Sequence, residues 1–193
     1  MVPGSLVEPG TLPANARAEL LRAAGEAIAA GLRDARWQPD PADFLTPLRE
    51  PRASFVTLHV DRRLRGCIGT LEARDSLVVD VARNAWSAAS RDTRFPPIGM
   101  DEFQHLDIHI SVLSAPELVT VGSESELLTL LRPGIDGLIL EEGYRRGTFL
   151  PSVWEQLSKP DDFLRQLKRK AGLPDNYWSD AIRVSRYITE SFP

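Results

Sequence analysis

Ser54-Phe55-Val56-Thr57-Leu58-His59-Val60 and Leu64-Arg65-Gly66-Cys67-Ile68-Gly69-Thr70, joined by Asp61-Arg62-Arg63, are the stretch whose reading decides the fold class. Both runs are rich in residues that favour strands, and the polar segment between them can reverse the chain, so they predict an antiparallel hairpin. With the turn centred near Arg62, Thr57 lies opposite Cys67 and His59 opposite Arg65. Side chains alternate along a strand, so His59 and Cys67 then share one face. Cys67 is the single cysteine of the chain. Gly66 and Gly69 remove Cβ bulk where a second backbone or a ligand comes close. Arg65, two residues away, favours a thiolate, the form in which sulfur attacks or binds metal. The plainer alternative is a cysteine that acts as a small buried apolar residue.

Outward from the hairpin, Pro13 to Arg33 places Leu20, Leu21, Ala24, Ile28 and Leu32 on one stripe, the pattern of an amphipathic helix. Residues 35 to 52 hold Pro39, Pro41, Pro47 and Pro51, too many for regular structure, and predict an ordered coil over the surface or a lobe boundary. Downstream, Ser76 or Asp75 caps a helix from Leu77 to about Arg91, with Leu77, Val78, Val81, Ala82, Ala85 and Ala89 facing inward. His105 to Leu113 alternates as a half-buried strand. Ser123 to Glu126 is a capping box for a short helix carrying Leu127, Leu128, Leu130 and Leu131. Asp136 to Glu142 and Gly147 to Leu150 form a second hairpin around Gly143 to Arg146. Helices over Pro151 to Leu157 and Pro160 to Ala171, then a strand from about Ile182 to Thr189, complete an α+β fold with antiparallel sheet and helices.

At 193 residues the chain can bury about 70% of its unfolded surface, enough for one sizeable core or two small lobes. A net charge of −4 gives little long-range attraction for nucleic acid or anionic membrane. Arg62 to Arg65, Arg145-Arg146 and Arg165 to Lys170 are basic clusters that read as solvated faces ahead of an RNA or nucleotide patch. One cysteine permits no internal disulfide and suits a reducing cytoplasm. The N-terminus lacks the basic and apolar regions of a signal peptide and reads as a flexible leader over residues 1–12, ahead of one domain over 13–193; no segment approaches about 18 consecutive apolar residues. The expected location is cytoplasmic, with no membrane partner. The three histidines, His59, His105 and His109, show no paired metal-ligand spacing with the cysteine, so no metal site is expected and no cofactor is required.

The heptapeptide around Cys67 also resembles a family signature. It is followed by Thr93-Arg94-Phe95-Pro96-Pro97, Ser111-Val112-Leu113-Ser114, Asp136-Gly137-Leu138, Gly147 to Pro151 with Val153-Trp154, and Lys170-Ala171-Gly172-Leu173. In this order and spacing, over about residues 16 to 190, the chain resembles the AMMECR-type domain family, whose prokaryotic members are called AmmeMemoRadiSam system protein A. The resemblance implies two α/β lobes around a cleft, one lobe built from both chain ends and one from the middle. The family name implies association with a Memo-like protein and a radical-SAM enzyme in a shared modification pathway, with no reaction assigned to the family.

Residues of this chain at positions inside the motif blocks are the site candidates. Cys67 is the candidate nucleophile, and Glu72 or Asp92 the candidate general base if buried. Arg65 and Arg94 are suited to hold a small anionic ligand, with Gly66, Gly69, Asn84 and Phe95 as further ligand-binding candidates. The alternative is that these charges pair with one another and close a loop. The chain departs from the commoner family form at Thr93, where proline is usual. It also has Lys168-Arg169 where some members carry a second cysteine, which excludes a two-thiol mechanism. Two classes of function stay open: a Cys67-dependent cleft enzyme, and a non-catalytic binding or scaffold protein that presents a substrate or docks partners.

Overall fold

A computed structural model describes residues 11–35 and 37–193. Most of the expected leader lies outside them. Leu12, at its end, is buried, and its backbone N–H donates to the Glu190 carboxylate at 2.9 Å. Along the chain run α1 (Ala14–Gly31), α2 (Thr46–Arg49), β1 (Ser54–Val60), β2 (Arg63–Gly69), α3 (Leu77–Ser90), α4 (Met100–Phe103), β3 (Leu106–Leu113), β4 (Glu117–Val119), α5 (Glu124–Leu130), β5 (Gly137–Glu142), β6 (Arg145–Phe149), α6 (Pro160–Lys170), β7 (Arg183–Tyr187) and β8 (Thr189–Phe192). Two compact units result. The first runs to Ser114 and takes back Glu190–Pro193; the second is Ala115–Thr189.

In the first unit the sheet order is β2-β1-β3-β8, with β1 antiparallel to both neighbours. Asp61 and Arg62 form a two-residue turn, both at positive φ (50° and 63°), whose twist matches that of the flanking strands. The expected turn is therefore one residue too long. The register recovers because Leu58 pairs with Gly66 but His59 with Leu64, leaving Arg65 as the extra residue of a β-bulge. Thr57 faces Cys67 as expected, whereas His59 faces Leu64 and not Arg65. The expected coil over 35–52 also differs, since it contains α2 and a single 3-10 turn, Pro41–Asp43, whose first amide donates to the Asp40 side chain.

Alternation gives the sheet two unlike faces. Val56, Leu58, Ile110 and Val112 point to α1 and α3, where Leu20, Ala24, Ile28, Leu77, Val81 and Ala85 complete one core. Each fully buried Val, Leu or Ile contributes roughly 1.5–3 kcal/mol. The face turned away from the helices carries Phe55, Thr57, His59, Cys67, His109 and Ser111. Ser76 stands at the start of α3, but its buried hydroxyl makes no capping bond, and Asp75 pairs with Arg83.

The second unit has its own sheet, β4-β7-β5-β6, and its own core around Leu127, Leu138, Leu140, Phe163, Leu167 and Val184. Trp154 stacks on Phe163 with ring centroids 3.8 Å apart and donates its indole N–H to the Asp136 carbonyl. Ser123 caps α5 by accepting from the Glu126 N–H, as its spacing predicts. Lys168 is fully buried and donates to Glu124 at 2.7 Å and to the Asp175 carbonyl at 2.8 Å, so the Arg165 to Lys170 run is not one solvated face. The single strand expected at the C-terminus is two: β7 stays in the second unit, and β8 returns to the sheet of the first.

Candidate functional site

Cys67 lies on β2, half-buried, with its side chain on the face turned away from the helices. The Thr57 hydroxyl, directly across on β1, donates to Cys67 Sγ at 3.2 Å. Thr57 in turn pairs across to His109 on β3, so Cys67, Thr57 and His109 form one row over three strands. The His109 ring meets His59 edge-on at 5.2 Å between centroids, and the buried Nδ1 of His59 has no hydrogen-bond partner among the described residues.

β2 is an edge strand of its sheet, and an unpaired edge exposes backbone donors and acceptors. Here the loop after α3 meets them with side chains. Asp92 accepts from the Cys67 N–H at 2.8 Å, and the Arg94 guanidinium reaches the Cys67 carbonyl at 3.4 Å. Arg94 also grips Asp92 with two bonds, at 2.6 and 2.9 Å, and lies over the Phe95 ring. Arg65 is held as firmly. It forms a two-pronged pair with Glu102, at 2.7 and 2.9 Å, and donates to the Pro96 carbonyl at 2.6 Å. Both arginines thus tie the 92–102 segment to β2, and each already has a carboxylate partner.

The same contacts set the chemistry of Asp92. The Arg94 guanidinium, joined by the N–H groups of Cys67 and Arg94, holds its carboxyl well below the usual carboxylate range, against the opposing effect of burial. A carboxylate stabilised this strongly in its charged form is a weak proton acceptor, so the geometry favours a positioning part for it. A depressed pKa contributes stability that is present above the unfolded value of about 3.9 and is lost as pH falls below it. The melting temperature of the wild type is therefore expected to drop between about pH 4 and pH 2, and that of Asp92→Asn to start lower at pH 7 and drop less. Parallel slopes in thermal melts across that range would remove the assignment.

The remaining candidates are not gathered around the sulfur. Glu72 is exposed beyond the end of β2 and pairs with Arg74. Asn84 is buried on α3, not on its polar face, and donates to Asp80 at 2.9 Å and to the Ser54 carbonyl at 3.1 Å. The glycines admit protein rather than ligand. A Cβ on Gly66 would sit 2.2 Å from the Ala88 carbonyl oxygen, and one on Gly69 would meet the Phe55 ring and the Ser54 carbonyl. Among the described residues no group of three or more His, Cys, Asp or Glu is arranged to hold a metal ion.

Sequence reasoning missed Asp80, Glu102 and the hydroxyls of Ser54 and Thr70. Asp80 carried a signal: it sits three residues after Leu77 and four before Asn84, inside the apolar stripe of α3, where a carboxylate must have partners.

The AMMECR1 family model matches residues 21–192. A protein of Methanothermobacter thermautotrophicus is 38% identical over 175 residues, covering 90% of this chain and 91% of its own. One from Thermotoga maritima is 40% identical over 157 residues, covering 80% and 85%. The crystal structure of the uncharacterized protein PH0010 from Pyrococcus horikoshii superimposes with a TM-score of 0.82 at 32% identity, covering 93% of this chain and 92% of that one. The family has no assigned activity, and no helix among the described residues is long and apolar enough to cross a membrane. The α+β architecture, the motif blocks and these relatives agree, and the chain belongs to the AMMECR1 family.

Proposed function

We propose that the protein serves a modification pathway together with a Memo-like protein and a radical-SAM enzyme, and that its contribution is the Cys67 thiol. The observation that carries this reading is the Thr57 hydroxyl donating to a half-buried Sγ on a polar sheet face that also bears two histidines. A hydroxyl that donates to sulfur stabilises negative charge on it, and the His59 and His109 rings lie on the same sheet face. Asp92 and Arg94 fix the backbone on either side of the sulfur, which keeps the row in register.

The thiol is testable without knowing the substrate. Thr57→Val keeps the shape and removes the donor, so iodoacetamide labelling of Cys67 at pH 7 is expected to slow roughly fivefold, the equivalent of one net hydrogen bond of about 1 kcal/mol. Equal labelling rates in the two proteins would sink the thiol reading. A second reading, a non-catalytic scaffold, is favoured by the engagement of Arg65 and Arg94, which leaves neither guanidinium free to hold a small anion in the protein as it stands. Copurification with the two partners discriminates: Cys67→Ala is expected to keep the partners and lose pathway output, whereas a scaffold keeps both.

A further inference from the structure

The helical layer of the first unit holds a cavity of about 610 Å³ that the Cys67 site does not use. It lies at the C-terminal end of α1 and along α3, bordered by Ala35, Trp37, Gln38 and Pro39. Its volume falls in the range of pockets that take small molecules, about 300–1,000 Å³. Ala27, Gly31, Val79 and Ala82 supply an apolar floor, and the Trp37 and Trp86 indoles supply flat walls. Gly31 is what lets Trp86 lie flat: a Cβ there would sit 2.4 Å from the indole ring.

Among the described lining residues Asp75 is the single carboxylate, and it is paired with Arg83. Arg83 also reaches Asp80 and so is doubly engaged. Arg91, exposed at the rim, makes no ion pair with any described residue. The Ser87 hydroxyl and both indole N–H groups likewise make no side-chain hydrogen bond among the described residues. Two indole N–H groups, a hydroxyl and a guanidinium that no described side chain engages are complementary to a ligand that brings acceptors.

We propose that this cavity binds a flat heteroaromatic anion, a ring stacked against Trp86 and Trp37 with a carboxylate or phosphate at Arg91. Aromatic faces hold such rings by stacking, and a guanidinium matches planar carboxylate and phosphate groups with two parallel bonds. The site is separate from the thiol and stands or falls independently of it.

The test is calorimetric titration of the full chain with AMP, orotate and indole-3-acetate, with adenosine and inorganic phosphate as controls. At least one of the three anions is expected to saturate with a dissociation constant below about 1 mM, at least tenfold tighter than either control. Arg91→Glu, at an exposed position, is expected to weaken that binding about tenfold with an unchanged melting temperature. Ser87→Trp fills the cavity from α3 and is expected to abolish it. No saturation by any of the three up to about 10 mM overturns the proposal, as does binding that both variants leave intact. Free phosphate binding as well as the anion would overturn the stacking half of it.

Discussion

Gly66→Ala is expected to destabilise the first unit by about 3 kcal/mol or more, a drop in melting temperature on the order of 10 °C for a chain of this length. One methyl group has this effect because of what it meets. The new Cβ would lie 2.2 Å from the carbonyl oxygen of Ala88 and 3.0 Å from its carbonyl carbon, and both are backbone. A flexible side chain could swing away, but an α-helix locked into the core through Ala85, Ala88 and Ala89 cannot. Replacing glycine in a strand by alanine returns about 0.5–1 kcal/mol of backbone entropy, far less than the overlap costs. β2 must therefore lift from α3, and with it the Cys67 N–H from Asp92, now 2.8 Å away. A melting temperature within about 2 °C of the wild type would show that the strand gives way cheaply. Iodoacetamide labelling of the same variant reports the lift directly, since a loosened β2 exposes the sulfur.

This dependence explains which parts of the site could be read from the residues. The hairpin was legible because alternation and turn chemistry are local, and Thr57 opposite Cys67 followed from them even though the turn is shorter than expected and a bulge at Arg65 makes up the difference. Helices α1 and α3 were legible from their apolar stripes and α6 from Pro160, its two aspartates and Gly172, and Leu77, Val78, Val81, Ala82, Ala85 and Ala89 all face inward as their spacing predicts. The engagements of the arginines were not legible. Arg65 pairs with Glu102, 37 residues on, and donates to the carbonyls of Pro96 and Pro97, contacts that no periodicity encodes. Arg94 with Asp92 is local, and the alternative that these charges pair with each other anticipated it. β8 was missed because Thr189-Glu190-Ser191-Phe192 is short and polar, and its place is set by β3, across which Ser191 and Ser111 share a hydrogen bond of 2.8 Å.

Asp80→Ala is expected to have the largest effect of any single substitution on α3, about 3–5 kcal/mol, because it removes the acceptor that joins that helix to both strands of the hairpin. Its carboxylate, 1% exposed, accepts from the N–H and hydroxyl of Ser54 at the start of β1, at 2.9 and 2.7 Å. It also accepts from the Thr70 hydroxyl just past β2 at 2.8 Å, and from Arg83 and Asn84 on its own helix. Arg83 is partly exposed and keeps Asp75, so no charge is left stranded by the change. The cost comes from the neutral donors. Ser54 is fully buried and Asn84 nearly so, and each buried donor without an acceptor costs about 1–3 kcal/mol. The effect should shrink when the donor is removed together with the acceptor: in Asp80→Ala with Asn84→Ala, the loss is expected to fall short of the sum of the two single losses by about 1 kcal/mol or more. Chemical denaturation of the four proteins closes the cycle. Strict additivity would mean that Asn84 finds another partner and that Asp80 does not organise the cluster. A loss below about 1 kcal/mol for Asp80→Ala alone would mean that water replaces the carboxylate, and the hairpin is then held to α3 by apolar packing, the Asn84 bond to the Ser54 carbonyl and the close approach at Gly66.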